Sequence, residues 1–345
     1  MVSATKLSSK ADEAKKQKVF VAMGEDLFEK PANSRSTFNS IILFTLTALT
    51  FYIIGSLVQQ RTSESLPTRF QWETPIHMDR TTEEFLDWRE KGIVGPVKDQ
   101  GKCNASHAFA ITSSIESMYA KATNGTLLSF SEQQLIDCND QGYKGCEEQF
   151  AMNAIGYLAT HGIETEADYP YVDKTNEKCT FDSTKSKIHL KKGVVAEGNE
   201  VLGKVYVTNY GPAFFTMRAP PSLYDYKIGI YNPSIEECTS THEIRSMVIV
   251  GYGIEGEQKY WIVKGSFGTS WGEQGYMKLA RDVNACAMAT TIAVLTEIFL
   301  RVLVSNFCCI SLTVLFKMYH NQSFKCFSGE HPIFFKLYHL CTWRG

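Results

Sequence analysis

The chain has 345 residues, a formal net charge of -2 and 44% hydrophobic residues. This length allows about two domains, and the hydrophobic content is typical of a globular protein and not of a disordered or fibrous one. The near-zero charge and the lack of a long run of Lys and Arg exclude a broadly basic nucleic-acid-binding protein.

A polar N-terminal tail of residues 1–36 precedes a long apolar segment. Residues 37–58 read TFNSIILFTLTALTFYIIGSLV and carry no charge. As a helix, this segment would span about 33 Å, which is enough for a bilayer core of about 30 Å. We therefore predict a transmembrane signal anchor at 37–58, with a buried core helix as the alternative. Lys and Arg lie slightly more often before the segment than after it, which favours a cytoplasmic tail.

A short linker, residues 59–72, leads to a globular segment, residues 73–294. Apolar residues at steps of three and four, and a Ser typical of an N-cap, predict helices in its first half. The predicted helices are 106–122, 131–137 and around 148–160. Short runs typical of strands follow at 246–251, 259–263 and 275–279. Helices followed by strands predict an α+β fold with two lobes.

A C-terminal extension, residues 295–345, differs in composition from the globular segment. Residues 302–316 are uncharged but are short for a membrane span. A second membrane helix, an interfacial segment and a strand-like run are therefore all open for this stretch.

The densest motif is DWREKGIVGPVKDQGKCNASHAFA at residues 87–110. It is followed in order by SEQQLIDC at 131–138, YPY at 169–171, VGYG at 250–253 and GTSWGEQGY at 268–276. This ordered set resembles the papain-like (cathepsin-like) cysteine proteases over about 220 residues. The resemblance implies a papain-like two-lobed fold, with a helical lobe and a β-barrel-like lobe. With the apolar segment, the whole prediction is an α+β papain-like fold behind an N-terminal transmembrane helix.

The resemblance also implies where the reacting groups should stand. In the family, a Cys thiolate at a helix start attacks a peptide carbonyl, a His moves the proton, an Asn orients the His and a Gln holds the oxyanion. Here Ser106 stands where Cys is expected, Arg245 where His is expected and Gly265 where Asn is expected, while Gln100 keeps the oxyanion position.

These three replacements predict a catalytically inactive domain, or pseudoenzyme. A Ser hydroxyl is far less acidic than a thiol of pKa about 8.5 and needs a general base in contact. The Arg245 guanidinium cannot accept a proton, and Gly265 has no side chain to orient an imidazole. We therefore expect a binding or scaffold module on an intact fold.

Two other functions are open. The first is a residual peptidase or hydrolase that uses Ser106 with His242 as its base. His242 is three residues from the base position, so in a strand its side chain would face the wrong way unless a bulge intervenes. His107 follows Ser106 on a helix and is rotated about 100° away from it. The second is a degenerate relative with no selected task.

The substrate cleft is also altered. The family has Cys-Asn-Gly-Gly where this chain has Cys146 followed by Glu147, Glu148 and Gln149. Side chains therefore stand where bare glycines would let a peptide lie close. Solvated acids on a surface loop are an equally plain interpretation of the two glutamates.

Six cysteines of the globular segment stand at positions where the family forms disulfides. The residues alone allow 15 pairings. The resemblance implies the pairs Cys103–Cys146, Cys138–Cys179 and Cys238–Cys286. Disulfides favour an oxidising lumen or the cell exterior. N-glycosylation sequons begin at Asn124, Asn104 and Asn321.

Together these features predict a single-pass type II membrane protein. Its globular domain would face the lumen of the secretory or endolysosomal system, or the cell exterior. The expected partners are the membrane, through residues 37–58, and a peptide or protein ligand, with no nucleic acid. We assign no cofactor and no metal, because no ligand cluster or phosphate-binding loop stands out.

Overall fold

The structure, a computed structural model, describes residues 69–74, 84–139 and 145–300, together with Leu49, Thr50 and Ile53. The chain divides into two units, residues 1–65 and 66–345. The three described residues of the first unit are α-helical and fall inside the predicted anchor. The rest of the anchor, the N-terminal tail and residues 301–345 with Asn321 lie outside the described residues. Among the described residues, no helix has the length and apolar character needed to cross a membrane.

Five α-helices lie in the described ranges after residue 84. They are α1 Ser106–Ala122, α2 Glu132–Cys138, α3 Ile155–His161, α4 Glu200–Tyr210 and α5 Ile235–Thr239. Helix α1 has its predicted bounds. Helix α2 begins as expected, because Ser131 Oγ accepts a hydrogen bond from the Gln134 N–H at 3.0 Å. The third predicted helix is shorter than expected, since a 3-10 turn at Ala151–Ala154 precedes α3.

The described strands form one nine-stranded sheet. They are β1 Gln71–Trp72, β2 Leu86–Asp87, β3 Ile188–Ala196, β4 Ala213–Arg218, β5 Ile230–Tyr231, β6 Ile244–Glu255, β7 Gln258–Lys264, β8 Tyr276–Ala280 and β9 Ile292–Leu300. Their order is β1-β3-β9-β4-β6-β7-β8-β5, and β2 pairs with β6. The first two predicted strand-like runs lie in β6 and β7, and the third, 275–279, overlaps β8, which begins and ends one residue later.

The sheet reaches past the predicted domain bounds of 73 and 294. Strand β1 pairs in parallel with β3, with Gln71 opposite Lys192. Strand β9 continues to Leu300, which lies opposite Ile188. The edge strand β1 therefore includes residues assigned to the linker, and β9 includes residues assigned to the C-terminal extension.

Alternation along the strands builds two hydrophobic cores. In β6, Val248 and Val250 join a core with α1, α2 and α3. Met247 and Ile249 join a second core around Trp261. Because successive strand residues point to opposite faces, one sheet supports both cores. The fold is thus α+β, with a helical lobe that contains α1, α2 and α3 (described residues 88–139 and 145–187) and a sheet lobe (residues 188–300).

Three disulfides link distant parts of the described chain. They are Cys103–Cys146, Cys138–Cys179 and Cys238–Cys286, the same pairs that the family resemblance implies. The first joins the segment before α1 to the loop that carries Glu147 and Glu148. It therefore holds that loop beside the start of α1.

Candidate active site

Ser106 is the first residue of α1 and lies against strand β6. Its side chain is buried, with 1% exposed. Within the described residues, its Oγ has one hydrogen-bond partner, the Ser246 N–H at 3.1 Å, from which it accepts. The hydroxyl therefore has no base in contact that could take its proton.

His107 follows Ser106 on α1 but is enclosed in the helical lobe. It is 1% exposed, and in the described structure its Nδ1 has no hydrogen-bond partner. Burial lowers the pKa of His107 to about 4. His107 is therefore neutral at ordinary pH and supplies no positive charge to the start of the helix.

The protonation of His107 predicts an acid-dependent loss of stability. An unfolded His titrates near pH 6.5, whereas the folded pKa is about 4. The unfolded chain therefore binds the proton first, and stability is lost as the pH falls from 6.5 to 4, by up to about 3 kcal/mol. We expect His107→Phe to make the free energy of unfolding less pH-dependent in this window, measured by urea titration at several pH values.

His242 provides the matched control for this measurement, because its side chain is exposed. His242→Ala should change the free energy of unfolding by about 0.5 kcal/mol or less, as is usual for an exposed substitution. Equal slopes for the unmodified chain and His107→Phe would contradict the prediction.

Arg245 lies near the start of β6 and is 5% exposed. Within the sheet lobe its guanidinium forms an ion pair with Glu243. The guanidinium carbon also lies 5.6 Å from the centre of the Tyr224 ring, and the Tyr224 hydroxyl donates to Glu243 at 2.6 Å. Glu243 and Tyr224 thus hold the guanidinium from its own lobe.

Arg245 also contacts the helical lobe. Its Nη1 forms an ion pair with Glu148, and its Nη2 donates to Asn104 Oδ1 at 3.3 Å. Glu148 and Asn104 belong to the two segments that the disulfide Cys103–Cys146 joins. The position expected for a His therefore carries a cation that connects the two lobes.

The space around Gly265 is filled by aromatic rings. A Cβ at this position would lie 2.8 Å from the Trp271 ring and 3.2 Å from the Phe267 ring. Phe267 and Trp271 pack edge-on with their ring centres 4.9 Å apart. A side chain at residue 265 would therefore require Trp271 to move.

Gln100 keeps the oxyanion position and is fixed by neighbours within the protein. Its Nε2 donates to the Cys103 carbonyl at 2.9 Å, and its Oε1 accepts from Ser266 Oγ at 2.7 Å. The side chain is 4% exposed. One N–H of this amide thus donates to the Cys103 carbonyl, and this hydrogen bond fixes the direction of the second N–H.

His242 does not lie in a strand, so the expectation from strand alternation does not apply. It precedes β6, which begins at Ile244, and its side chain is exposed. The buried Ser106 and the exposed His242 are not hydrogen-bonded to each other in the described structure.

The sequons differ in their surroundings. Asn124 is exposed in the turn after α1, with a φ of 58°. Asn104 is also exposed, although its Oδ1 accepts from Arg245. Throughout residues 84–139 and 145–300, no three His, Cys, Asp or Glu side chains form a group that could hold a metal.

Sequence reasoning missed the partners of Arg245. For Glu148, the replacement of a family glycine was visible, but its pairing with a residue 97 positions away was not. Glu243 and Tyr224 belong to no motif. A buried Arg needs paired acids, so the two extra glutamates beside Cys146 were the available signal.

Comparisons with known proteins show the family to which this chain belongs. Residues 82–296 match the family model described as papain family cysteine protease. The chain is 40% identical over 211 residues to digestive cysteine proteinase 2 of Homarus americanus, covering 59% of this chain and 64% of that protein. It is 39% identical over 225 residues to cathepsin L2 of Homo sapiens, covering 63% of this chain and 66% of that protein.

A solved structure of a digestive procathepsin L 3 from the larval midgut of Tenebrio molitor has the same fold. The TM-score is 0.60 at 31% identity, covering 67% of this chain and 77% of that one. The chain therefore belongs to the papain family of cysteine proteases and carries a cathepsin L-like domain. It spans slightly less than two thirds of the length of the Homarus americanus proteinase.

Proposed function

We propose that this chain is a catalytically inactive member of the papain family, which holds a peptide or protein segment in its cleft without cleaving it. The observation that carries the proposal is the ion pairing of Arg245 with Glu148 and Glu243 at the position expected for the His base. A guanidinium paired with carboxylates stays protonated and cannot move a proton. Ser106 then has no activating partner.

The surroundings of the other two positions support the same proposal. Gly265 has no group that could orient an imidazole, and the Trp271 ring lies 2.8 Å from where a Cβ at this position would stand. Glu148 reaches from the helical lobe toward Arg245 in a place where the family has a bare glycine. Relatives are named as proteinases and cathepsins, so inactivity is a property that we propose for this chain and not for them.

The test is turnover and binding on the same preparation of the full chain. We expect no hydrolysis of fluorogenic peptides or esters above background, no labelling of Ser106 by thiol-directed epoxides, and saturable binding of peptides. Hydrolysis that His242→Ala abolishes and Arg245→Ala does not would overturn the proposal. It would instead favour a hydrolase that uses Ser106 and His242.

We also propose that residues 37–58 anchor the chain as a type II membrane protein with residues 73–294 in the lumen of the secretory or endolysosomal system, or outside the cell. The uncharged run and the three disulfides support this proposal. Protease treatment of sealed microsomes should remove residues 1–36 and spare the domain. Digestion of the domain in sealed microsomes would overturn it.

A further inference from the structure

Arg245 is a buried cation at the meeting point of the two lobes, and the mechanism of the family gives it no role. Its side chain is 6% exposed, and its Nε has no hydrogen-bond partner among the described residues. A buried guanidinium needs carboxylate partners, because an unpaired charge in a protein interior is costly. A group that approaches this guanidinium would therefore have to take the place of one of those carboxylates.

The two carboxylates that pair with Arg245 are held differently. Glu243 belongs to the same lobe, two residues from Arg245, and the Tyr224 hydroxyl donates to it. Glu148 comes from the opposite lobe, on a loop, and its side chain is 28% exposed. The Glu243 side chain is 40% exposed, so exposure does not separate the two carboxylates, but Tyr224 holds only Glu243. Among the described residues, the Glu148 carboxylate is bonded to Arg245 alone, so it can leave for solvent while Glu243 and Tyr224 keep the guanidinium in place.

We propose that Arg245 is a carboxylate-binding site and that Glu148 occupies it as an internal substitute for the carboxylate of a peptide ligand. This inference rests on the proposed function, because it names the chemical class of ligand that the inactive cleft would hold. A ligand carboxylate would replace Glu148 on Nη1, so the number of carboxylates at the guanidinium would stay constant. Arg is suited to this exchange because its planar fork pairs with carboxylates in a fixed geometry.

The exchange predicts that Glu148 competes with the ligand. Because Glu148 is part of the chain, its carboxylate acts at a high effective concentration at Arg245. It therefore hides part of the preference of the site for a peptide carboxylate over an amide. In the unmodified full chain, we expect a carboxylate to improve the affinity of a peptide by about threefold or less. In Glu148→Gln, which keeps the size but removes the charge, we expect a preference of at least about tenfold.

The experiment measures Kd by fluorescence anisotropy with three labelled alanine–leucine hexapeptides. One has a free C-terminal carboxylate, one is amidated, and one is amidated with a single internal Glu. Glu147→Gln is the matched control, since it removes the same charge from the neighbouring, exposed residue. The free-carboxylate and internal-Glu peptides distinguish a chain terminus from an acidic side chain as the source of the ligand group.

The outcomes separate this inference from the proposed function. The inference is supported if the preference for carboxylate over amidated peptides is wider in Glu148→Gln than in the unmodified chain. The preference should be unchanged in Glu147→Gln and lost in Glu148→Gln combined with Arg245→Met. Since Glu148→Gln is expected to gain affinity, misfolding cannot imitate the result. Equal binding of carboxylate and amide peptides in both single variants would overturn the inference while leaving a peptide-binding module. Binding of none of the peptides would overturn both.

Discussion

Lys98→Met is expected to destabilise the domain by about 3–5 kcal/mol, because it leaves two buried carboxylates without their cation. Lys98 Nζ lies 2.8 Å from Glu116 Oε1 and 2.7 Å from Glu132 Oε1. The side chains of Glu116 and Glu132 are only 2% and 1% exposed. Burial lowers the pKa of Lys98, but the attraction of the two glutamates outweighs it, so its pKa is raised overall.

The loss of stability in Lys98→Met should be larger at high pH than at low pH, because of the titration of Glu132. Burial raises the pKa of Glu132 to about 7, although Lys98 lowers it in part. Because the folded chain keeps this proton to a higher pH than the unfolded chain, this group's contribution to stability decreases from pH 4.5 to 7. Without Lys98 the pKa of Glu132 rises further, so Lys98→Met should cost more at pH 8 than at pH 5. Urea unfolding of the full chain at both pH values measures this difference.

Lys259→Met is the matched control for the same measurement. Lys259 pairs with Asp282 at 2.8 Å, but its side chain is 50% exposed. An exposed pair contributes about 1 kcal/mol or less, so this variant should unfold almost as the unmodified chain does. Adding Glu116→Gln and Glu132→Gln to Lys98→Met should recover most of the lost stability. Equal costs for the two lysine variants would contradict the prediction.

The sequence predicted the parts of the fold that local patterns determine. The bounds of α1 follow from apolar steps of three and four, and the start of α2 follows from Ser131, whose Oγ caps the helix. Helix α4 was not predicted, although Asn199 caps it by accepting from the Leu202 N–H at 2.9 Å. Its sequence, EVLGKVYVTNY, contains four β-branched residues and Gly203, which lower helix propensity, and packing against β3 and β9 stabilises it instead.

The candidate site was predicted as a set of positions but not as a set of contacts. Ser106, Arg245 and Gly265 could be assigned by motif order, yet the pairing of Arg245 with Glu148 depends on a fold that brings loop and strand together. Trp271 was recognised as part of a motif, but the position of its ring beside Gly265 depends on how the side chains pack in the fold. Long-range pairing of this kind leaves no periodic trace in one sequence.

These contacts determine the result expected from restoring the family residues. Ser106→Cys, Arg245→His and Gly265→Asn should each leave turnover at background when made alone. A nucleophile and its base act as a unit, so a thiol without an imidazole, or an imidazole without a thiol, gains little. Gly265→Asn alone adds an orienting amide with nothing to orient, and its Cβ would press on Trp271 at 2.8 Å.

The triple variant should still be limited by Glu148, whose carboxylate would remain beside the introduced imidazole, and by Trp271. We therefore expect Glu148→Gly, added to the three changes, to raise peptide hydrolysis above the triple variant by about tenfold or more, since it also restores the bare backbone of the family cleft. The control is the quadruple variant with Ser106→Ala in place of Ser106→Cys. It keeps every contact except the thiol. Hydrolysis in that control would show that the activity does not come from a thiol at residue 106. Hydrolysis in Ser106→Cys alone would contradict the prediction, because Arg245 and Glu148 are both still present in that variant.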